Sequence, residues 1–341
     1  MFTEVNMKRL FLALLILLMA AGIAMAQTTL SVYASCDETL AKSLFDSFTR
    51  ETGIPISFVR LSGGEALARM EAEKENPQAS IWVGGVGLDH ITGKTKDLTT
   101  PYRSRYAVDT PENFKDPHSF WIGLYVGPLT FVTNLDRARA LGLTPPKSWA
   151  DLLKPEYRGH IRVANPNTSG TAYNVITTIR VLNGNDENRA FDYLKRLDTN
   201  IDQYTRSGAA PGQSVATGEI PIAIGYAHDQ VKLKAGGANV EINAPSEGTG
   251  FELAAMSLIK GGKQPVDARR LYDWILKAPS AQKHFTDFYV VLIRKNAARH
   301  PMALPIERIK TITQDMVWDG DAVNRKRLLD RWIGEIESKR R

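Results

Sequence analysis

Small hydroxyl and glycine residues occur at turns that could bind an anion. The clearest of these turns is Ser169-Gly170-Thr171, which follows Pro166-Asn167 and opens a stretch with helical periodicity. The free backbone N–H groups and the dipole at a helix start attract anions, and residues this small let a ligand approach closely. The turn therefore favours contact with a negatively charged group of a ligand.

The elements that would position this turn alternate between strands and helices, which predicts an α/β fold. The predicted strands are residues 29–34, 56–60, 80–83, 159–164 and 220–226, and the predicted helices include 171–182, 187–197 and 265–276. Ser35, with Glu38 three residues later, has the spacing of a capping box, so we expect Ser35 to cap the first helix.

Small or polar residues follow five of the predicted strands, those ending at Ala34, Arg60, Val83, Ala164 and Tyr226. In open α/β sheets, ligands bind beyond the carboxyl ends of the strands. We therefore expect the residues after these strands to line one site. They are Ser35, Ser62, Gly63, Gly64, Gly84, Gly85, Ser169, Gly170, Thr171, His228 and Asp229.

Two long β-prone runs divide the chain. Residues 121–132, interrupted by Gly127-Pro128, and residues 251–259 are candidates for strands that cross between two lobes. We expect two α/β lobes joined by two crossing strands, with a cleft between them. Lobe 1 would comprise residues 27–125 and 251–300, and lobe 2 residues 126–250 and 301–341.

The start of the chain has the pattern of a secretory signal peptide. Lys8-Arg9 precedes an apolar run over residues 10–21, and Ala24-Met25-Ala26 has the small residues of a cleavage site. We expect residues 1–26 to be removed on export to the periplasm. The single cysteine, Cys36, excludes an internal disulfide, and the net charge of +6 is mixed with acidic residues, which argues against nucleic-acid binding.

Three segments carry a resemblance to a known family: Ser148-Trp149-Ala150-Asp151-Leu152 and the residues up to 171, residues 215–226, and residues 265–285. They resemble the family 1 extracellular solute-binding proteins of ABC importers, in the group of ferric-ion, thiamine, phosphonate and hexose-phosphate binders. The resemblance implies a type II periplasmic-binding-protein fold and delivery of a small anionic ligand to an ABC permease in the inner membrane. It also implies a monomer without cofactor or resident metal.

The hexose-phosphate-binding branch resembles this chain most closely at the ligand-contacting positions. A His-Asp pair after the late strand and a following Glu imply that His228, Asp229 and Glu247 hold sugar hydroxyl groups, since a carboxylate accepts two of them at once. Phosphate would rest on the helix starts, each stabilising an anion by about 0.3–1 kcal/mol, without an arginine. Ser207 and Tyr226 are further expected contacts, and a hexose phosphate is the expected ligand.

Two alternative ligands remain open. A phosphonate bearing an amine would pair its ammonium group with Asp229 and Glu247. A ferric ion would use Tyr226, His228 and Asp229, although the adjacent tyrosine pair typical of the iron-binding branch is replaced here by Tyr226-Ala227.

Catalysis is the remote alternative. The sequence has no His-Glu-x-x-His, Cys-x-x-Cys, phosphate-loop lysine or Gly-x-Ser-x-Gly motif. A hydrolase built on His228-Asp229 would need a geometry that the sequence alone does not define. The sequence therefore predicts a carrier and not an enzyme.

Overall fold

A single mixed sheet runs through the part of the chain that the computed structural model describes, residues 29–340. The predicted signal peptide, residues 1–26, lies outside these residues. The strands are β1 Leu30–Ala34, β2 Ile56–Arg60, β3 Ile81–Val86, β4 Thr99–Thr100, β5 Ile122–Asn134, β6 Ile161–Ala164, β7 Ile201–Thr205, β8 Ile222–Tyr226, β9 Val240–Asn243, β10 Phe251–Ile259 and β11 Val291–Leu292.

Helices connect and cover these strands. No helix within residues 29–340 combines the length and the apolar character needed to cross a membrane. The helices are α1 Glu38–Thr52, α2 Gly63–Ala72, α3 Gly87–Thr95, α4 Leu135–Ala140, α5 Gly170–Leu182, α6 Glu187–Asp198, α7 Ala210–Ala216, α8 Ala227–Ala235, α9 Pro265–Lys277, α10 Pro279–Asp287, α11 Met316–Gly320 and α12 Ala322–Glu335.

The long strand β5 belongs to two parts of the sheet. Its first half, up to Pro128, pairs antiparallel with β10, and its second half, from Leu129, pairs antiparallel with β8. Proline cannot donate a ladder hydrogen bond, which suits a position where the strand changes partner. The Gly127-Pro128 interruption in the sequence therefore marks the point where the chain passes from one part of the sheet to the other.

On either side of this point, the strands form two α/β units. In the first unit, β1 pairs parallel with β2 and β3, and β10 joins them antiparallel. In the second unit, β6 pairs parallel with β7 and β8. The α/β class predicted from the alternation of strands and helices is confirmed, and β10 has the predicted bounds of 251–259.

The first helix is capped differently from the expectation. The side chain of Asp37 accepts hydrogen bonds from the backbone of Thr39 and Leu40, and the helix begins at Glu38. The Ser35 hydroxyl instead accepts a hydrogen bond from Nε1 of Trp82 at 2.8 Å. The prediction that Ser35 caps α1 is therefore wrong, because the helix starts two residues later and leaves Ser35 in the preceding turn.

The C-terminal segment links the two units. The Thr92 hydroxyl, on α3 of the first unit, donates to the carbonyl of Gly320 at 2.7 Å. The Tyr173 hydroxyl, on α5 of the second unit, donates to the carbonyl of Asp319 at 2.6 Å. Helix α12 continues into the hydrophobic core of the second unit, where Trp332 is buried. The segment thus contacts both units, through α3 and α5.

We expect Phe131→Ala to destabilise the fold strongly. Phe131 lies in the second half of β5, has no exposed surface, and packs edge-on against Trp149 with ring centroids 5.0 Å apart. Removing a buried aromatic side chain costs about 3–5 kcal/mol. Urea denaturation would measure the loss. The matched control is Val108→Ala at a side chain that is 75% exposed, for which a change within about 0.5 kcal/mol is expected. A loss below about 1 kcal/mol for Phe131→Ala would contradict the assigned core.

Candidate functional site

A polar cavity lies where the carboxyl ends of the parallel strands of both units meet. The space between its lining atoms, including the opening to solvent, is about 650 Å³. Most of the residues expected at the site line it: Ser35, Ser62, Gly63, Gly85, Ser169, Gly170, Thr171, Tyr226, His228 and Asp229.

One side of the cavity consists of helix starts and small residues. Helices α2 and α5 both begin here, after Ser62 and Ser169. A Cβ placed on Gly208 would lie 2.3 Å from the Thr171 hydroxyl and 2.9 Å from the Ser169 hydroxyl. Gly208 therefore packs its backbone directly against these two hydroxyl groups. We call this region, made of residues 62–63, 169–171 and 208, the hydroxyl-glycine side.

Two hydrogen bonds to serine side chains of the cavity leave groups available that could contact an anion. Nε1 of Trp82 donates to the Ser35 oxygen at 2.8 Å, so the Ser35 hydroxyl proton remains available for another acceptor. Nη1 of Arg60 donates to the Ser62 oxygen at 3.2 Å, and Arg60 also lines the cavity. The helix starts are therefore accompanied by an arginine that the sequence analysis did not select, because β2 ends at Arg60 and carries its side chain to the cavity.

The opposite side of the cavity is acidic. Nε2 of His228 lies 3.5 Å from Oε2 of Glu252 and 3.8 Å from Oδ1 of Asp229. The imidazole ring lies near the rings of Tyr226 and Tyr125, with centroids 5.8 and 5.5 Å away. We call His228, Asp229 and Glu252 the acidic side.

A missing side chain on β5 makes room for the imidazole. A Cβ on Gly127 would lie only 2.4 Å from Nδ1 of His228. Glycine at this position therefore lets β5 pass beneath His228. Nδ1 of His228 is buried against β5 and has no hydrogen-bond partner among residues 29–340.

Burial controls the protonation of the acidic side. It raises the pKa of Asp229 above the usual value, with a smaller opposing effect from His228. Burial, followed by the charges of Asp229 and Asp89, raises the pKa of Glu252 well above its usual value. Burial likewise lowers the pKa of His228. Buried polar groups without partners are costly, so these side chains suit a ligand that supplies hydrogen bonds.

Glu247 does not reach the cavity. Its carboxylate accepts hydrogen bonds from the backbone N–H groups of Trp149 at 3.1 Å and Ala150 at 3.0 Å. These bonds hold the loop before β10 against the 148–150 turn. The expected acidic contact at Glu247 is instead made available by Glu252, which lies one residue inside β10 and lines the cavity.

Two other expected residues lie beside the cavity without lining it. A Cβ on Gly64 would lie 2.4 Å from the carbonyl oxygen of Asn167, so Gly64 lets α2 approach the second unit closely. The carbonyl of Ser207 accepts a hydrogen bond from the Thr205 hydroxyl at 2.9 Å, and its neighbours Gly208 and Ala209 line the cavity in its place.

Several cavity residues escaped the sequence analysis: Asp37, Arg60, Asp89, Lys232 and Glu252. One signal could have identified Glu252, since it is the only charged residue in the apolar run of residues 251–259. No comparable signal marks the others. Lys232 lies within α8 and pairs with Asp37 across the cavity at 2.8 Å, a contact that depends on how the two units meet.

Metal binding has little support among the described residues. Within residues 29–340, no group of three or more His, Cys, Asp or Glu side chains could hold a metal ion. The Tyr226 hydroxyl accepts a hydrogen bond from Nδ2 of Asn174 at 3.0 Å. Burial, the charge of Glu252 and further acidic neighbours together raise the pKa of Tyr226 well above its usual value. This raised pKa opposes the phenolate that a ferric ion would require.

Comparison with known proteins identifies the family. Residues 92–317 match the bacterial extracellular solute-binding protein family, and the chain belongs to it. Members of this family are substrate-binding transport proteins of ABC importers, so the protein is a periplasmic-type solute-binding protein and not an enzyme.

Individual proteins of this family show which of its members the chain is similar to. The chain is 34% identical to an uncharacterized Haemophilus influenzae protein over 94% of this chain and 95% of the relative. It superposes with a TM-score of 0.87 on the Actinobacillus pleuropneumoniae periplasmic binding protein AfuA with fructose 6-phosphate bound. That pair shares 34% identity, covering 91% of this chain and 98% of the other. A putative 2-aminoethylphosphonate-binding periplasmic protein of Salmonella typhimurium is 25% identical over 79% of this chain and 80% of its own length. The predicted periplasmic-binding fold is confirmed.

We expect Glu252→Gln to stabilise the ligand-free protein at neutral pH. A carboxyl whose pKa is raised in the folded state binds protons more strongly there than when unfolded, so it stabilises folding less as pH rises above its unfolded pKa. The amide removes this loss, which is at most about 1.4 kcal/mol for each tenfold difference in proton affinity between the folded and unfolded states. Urea denaturation at pH 4 and pH 7 would measure the difference. The variant should resemble wild type at pH 4 and exceed it at pH 7, whereas equal stabilities at pH 7 would contradict a strained Glu252 carboxylate.

Proposed function

We propose that this protein captures a hexose phosphate in the cavity and delivers it to an ABC permease. The observation that carries the proposal is the pairing, in one cavity, of a hydroxyl-glycine side with an acidic side. Helix starts and small residues stabilise an oxyanion, and carboxylates accept hydrogen bonds from sugar hydroxyl groups. A phosphorylated sugar carries both kinds of group.

The phosphate would contact the hydroxyl-glycine side. Ser62 and Ser169 precede α2 and α5, and Arg60 adds a positive charge whose guanidinium already donates to Ser62. Each helix start stabilises an anion by about 0.3–1 kcal/mol at the surface and up to about 2 kcal/mol when partly buried. Together with the Arg60 charge, these contacts favour a phosphate over a neutral group.

The sugar ring would contact the acidic side. Asp229 and Glu252 each have a carboxylate oxygen within 3.8 Å of Nε2 of His228, whose Nδ1 has no partner among residues 29–340. Hydroxyl groups of the sugar would satisfy these three side chains at once. Tyr125 and Tyr226 supply apolar ring surface next to them. This supports a polyhydroxylated ligand.

The two α/β units would act as lobes that close around the ligand. We infer lobe boundaries of 27–125 with 251–300, and 126–250 with 301–341. Two ion pairs connect the units at the edges of the cavity, Lys232 with Asp37 at 2.8 Å and Arg206 with Glu65 at 2.6 Å. Closure by a hinge would shift an open–closed equilibrium by the ligand's differential affinity for the closed state. The working protein would be a monomer exported to the periplasm through cleavage after Ala26.

A phosphonate bearing an amine is the second candidate. The cavity contains four carboxyl groups, those of Asp37, Asp89, Asp229 and Glu252, against the two cationic side chains of Arg60 and Lys232. This excess of acid suits an ammonium group on the acidic side. The phosphonate would use the same hydroxyl-glycine side as a phosphate.

Mutation of the acidic side tests the proposal. We expect Asp229→Asn and Glu252→Gln each to weaken the binding of fructose 6-phosphate by about 10- to 100-fold, since replacing an acceptor oxygen by an NH2 group leaves a buried ligand hydroxyl group without its partner, at a cost of about 1–3 kcal/mol. Isothermal titration calorimetry would measure the change. The matched control is Glu247→Gln, because Glu247 contacts the backbone of the 148–150 turn and not the cavity.

The outcomes separate the candidates. Unchanged affinity in both cavity variants, or an equal loss in Glu247→Gln, would contradict the acidic side as the sugar contact. Binding of 2-aminoethylphosphonate in preference to fructose 6-phosphate would favour the phosphonate function. Intense phenolate colour on ferric titration would favour an iron site at Tyr226, His228 and Asp229. Mass spectrometry of a small molecule co-purifying from the periplasm would identify the ligand directly.

A further inference from the structure

The carboxylate of Asp89 lies at the base of the hydroxyl-glycine side. Asp89 is in the first turn of α3, has no exposed surface, and lines the cavity. A Cβ on Gly63 would lie 1.8 Å from its Oδ2, and a Cβ on Gly170 would lie 2.2 Å from the same atom. The two glycines thus leave room for Oδ2 between the first residues of α2 and α5, where an anionic ligand would bind.

The two oxygens of Asp89 have different surroundings. Oδ1 forms an ion pair with Nη1 of Arg325 at 2.6 Å, and the Arg325 guanidinium lies over the Tyr173 ring at 4.1 Å. Neither oxygen has a hydrogen-bond partner among residues 29–340, and Oδ2 also lacks an ion-pair partner there. Oδ2 is thus a buried, unpaired carboxylate oxygen next to two helix starts, in a residue that lines the cavity.

Asp89 and a bound oxyanion cannot both be fully charged at such close range. Two unscreened negative oxygens repel each other, whereas one proton shared between them makes a strong hydrogen bond. A phosphate or phosphonate group can bring that proton, because its second pKa lies near 6. A sulfate ester or sulfonate has no such proton at neutral pH.

We propose that Asp89 selects a protonatable phosphoryl or phosphonyl group and rejects the sulfuryl group of the same shape. This inference rests on the proposed function, since it assigns the specificity of the same cavity. The proton lies between Oδ2 and one ligand oxygen. We take the Asp89 carboxyl of the ligand-free protein to be ionised at pH 8, because the charge of Arg325 opposes the effect of burial on its pKa. Above pH 6 the free ligand is a dianion, so the complex takes this proton from solvent.

Other charged and titratable groups influence the protonation of Asp89. Burial raises the pKa of Asp89, and the charge of Arg325 opposes that effect. Glu252 on β10, Tyr226 on β8 and Tyr173 on α5 also interact electrostatically with Asp89. Arg325 pairs with Oδ1 of Asp89 and not with Oδ2. In the proposal, Oδ2 is therefore the oxygen that shares a proton with the ligand.

Matched ligand pairs test the inference. Titration calorimetry at pH 7 would compare fructose 6-phosphate with fructose 6-sulfate, and 2-aminoethylphosphonate with 2-aminoethanesulfonate. For whichever phosphorus compound binds, we expect the wild-type protein to bind the sulfur analogue at least tenfold more weakly. In Asp89→Asn the ratio of the two affinities, phosphorus compound over sulfur analogue, should fall to about threefold or less, because the amide can donate a hydrogen bond to an unprotonated oxygen.

Proton uptake provides a second readout. Titration of the phosphorus ligand at pH 8, in buffers with different ionisation enthalpies, should report uptake of roughly one proton for wild type. Uptake should be lower by most of a proton in Asp89→Asn. A purely structural Asp89 would not change this number.

A second buried ion pair supplies the control. Asp319 is also fully buried and pairs with Arg180 at 2.8 Å, but it does not line the cavity. Asp319→Asn should keep the wild-type ligand ratio and proton uptake, and circular dichroism would establish that both variants fold. If Asp89→Asn does not fold, the affinity ratio and the proton uptake of the wild-type protein alone test the role of Asp89.

The failures are distinguishable. A wild-type ratio below tenfold, no proton uptake at pH 8, or an unchanged ratio in Asp89→Asn would overturn the role of Asp89 while the carrier function stands. Failure of both phosphorus ligands to bind would overturn the proposed function and this inference together.

Discussion

The continuity of strand β5 is the constraint on which the rest of the structure depends. One strand pairs with β10 before Pro128 and with β8 after it, so the two α/β units share a rigid backbone connection. This connection aligns the carboxyl ends of the parallel strands in both units towards one cavity. The helix starts after Ser62 and Ser169, more than 100 residues apart in the chain, face the same ligand space for this reason.

The cavity is built from groups that are costly to bury without a ligand. Burial disfavours the charged forms of Asp229 and Glu252 and the protonated form of His228. A structural core would favour apolar side chains at these positions. Their presence in a cavity beside two helix starts supports the proposal of a polar, anionic ligand.

The C-terminal segment connects this cavity to both units. Asp319 and Gly320 accept hydrogen bonds from α5 and α3, and Arg325 reaches Asp89 at the base of the cavity. The segment therefore contacts both α5, which presents part of the hydroxyl-glycine side, and α3, which carries Asp89. This arrangement positions the starts of α3 and α5 without occupying the ligand space above them.

Much of the architecture could be predicted from patterns of neighbouring residues in the sequence. Apolar periodicity identified most strands, and small residues after them identified the lining at Ser62, Gly63, Ser169 and Gly170. Local spacing was misleading at Ser35, where the capping-box signature competed with a hydrogen bond from Trp82, 47 residues away. Such a contact exists only once β1 and β3 are paired, so no window of sequence contains it.

The sequence by itself determined the α/β class, the family and the edge of the sheet at which we propose that a ligand binds, because these depend on residue order along each strand and turn. Tertiary structure decided which charged groups meet there. Glu247 and Glu252 are five residues apart, yet the first caps a turn and the second faces His228, because β10 pairs with β5 from Phe251 onwards. Arg60, Asp89 and Lys232 reach the cavity through distances between elements, which are physical properties of the packed sheet and not of any local pattern.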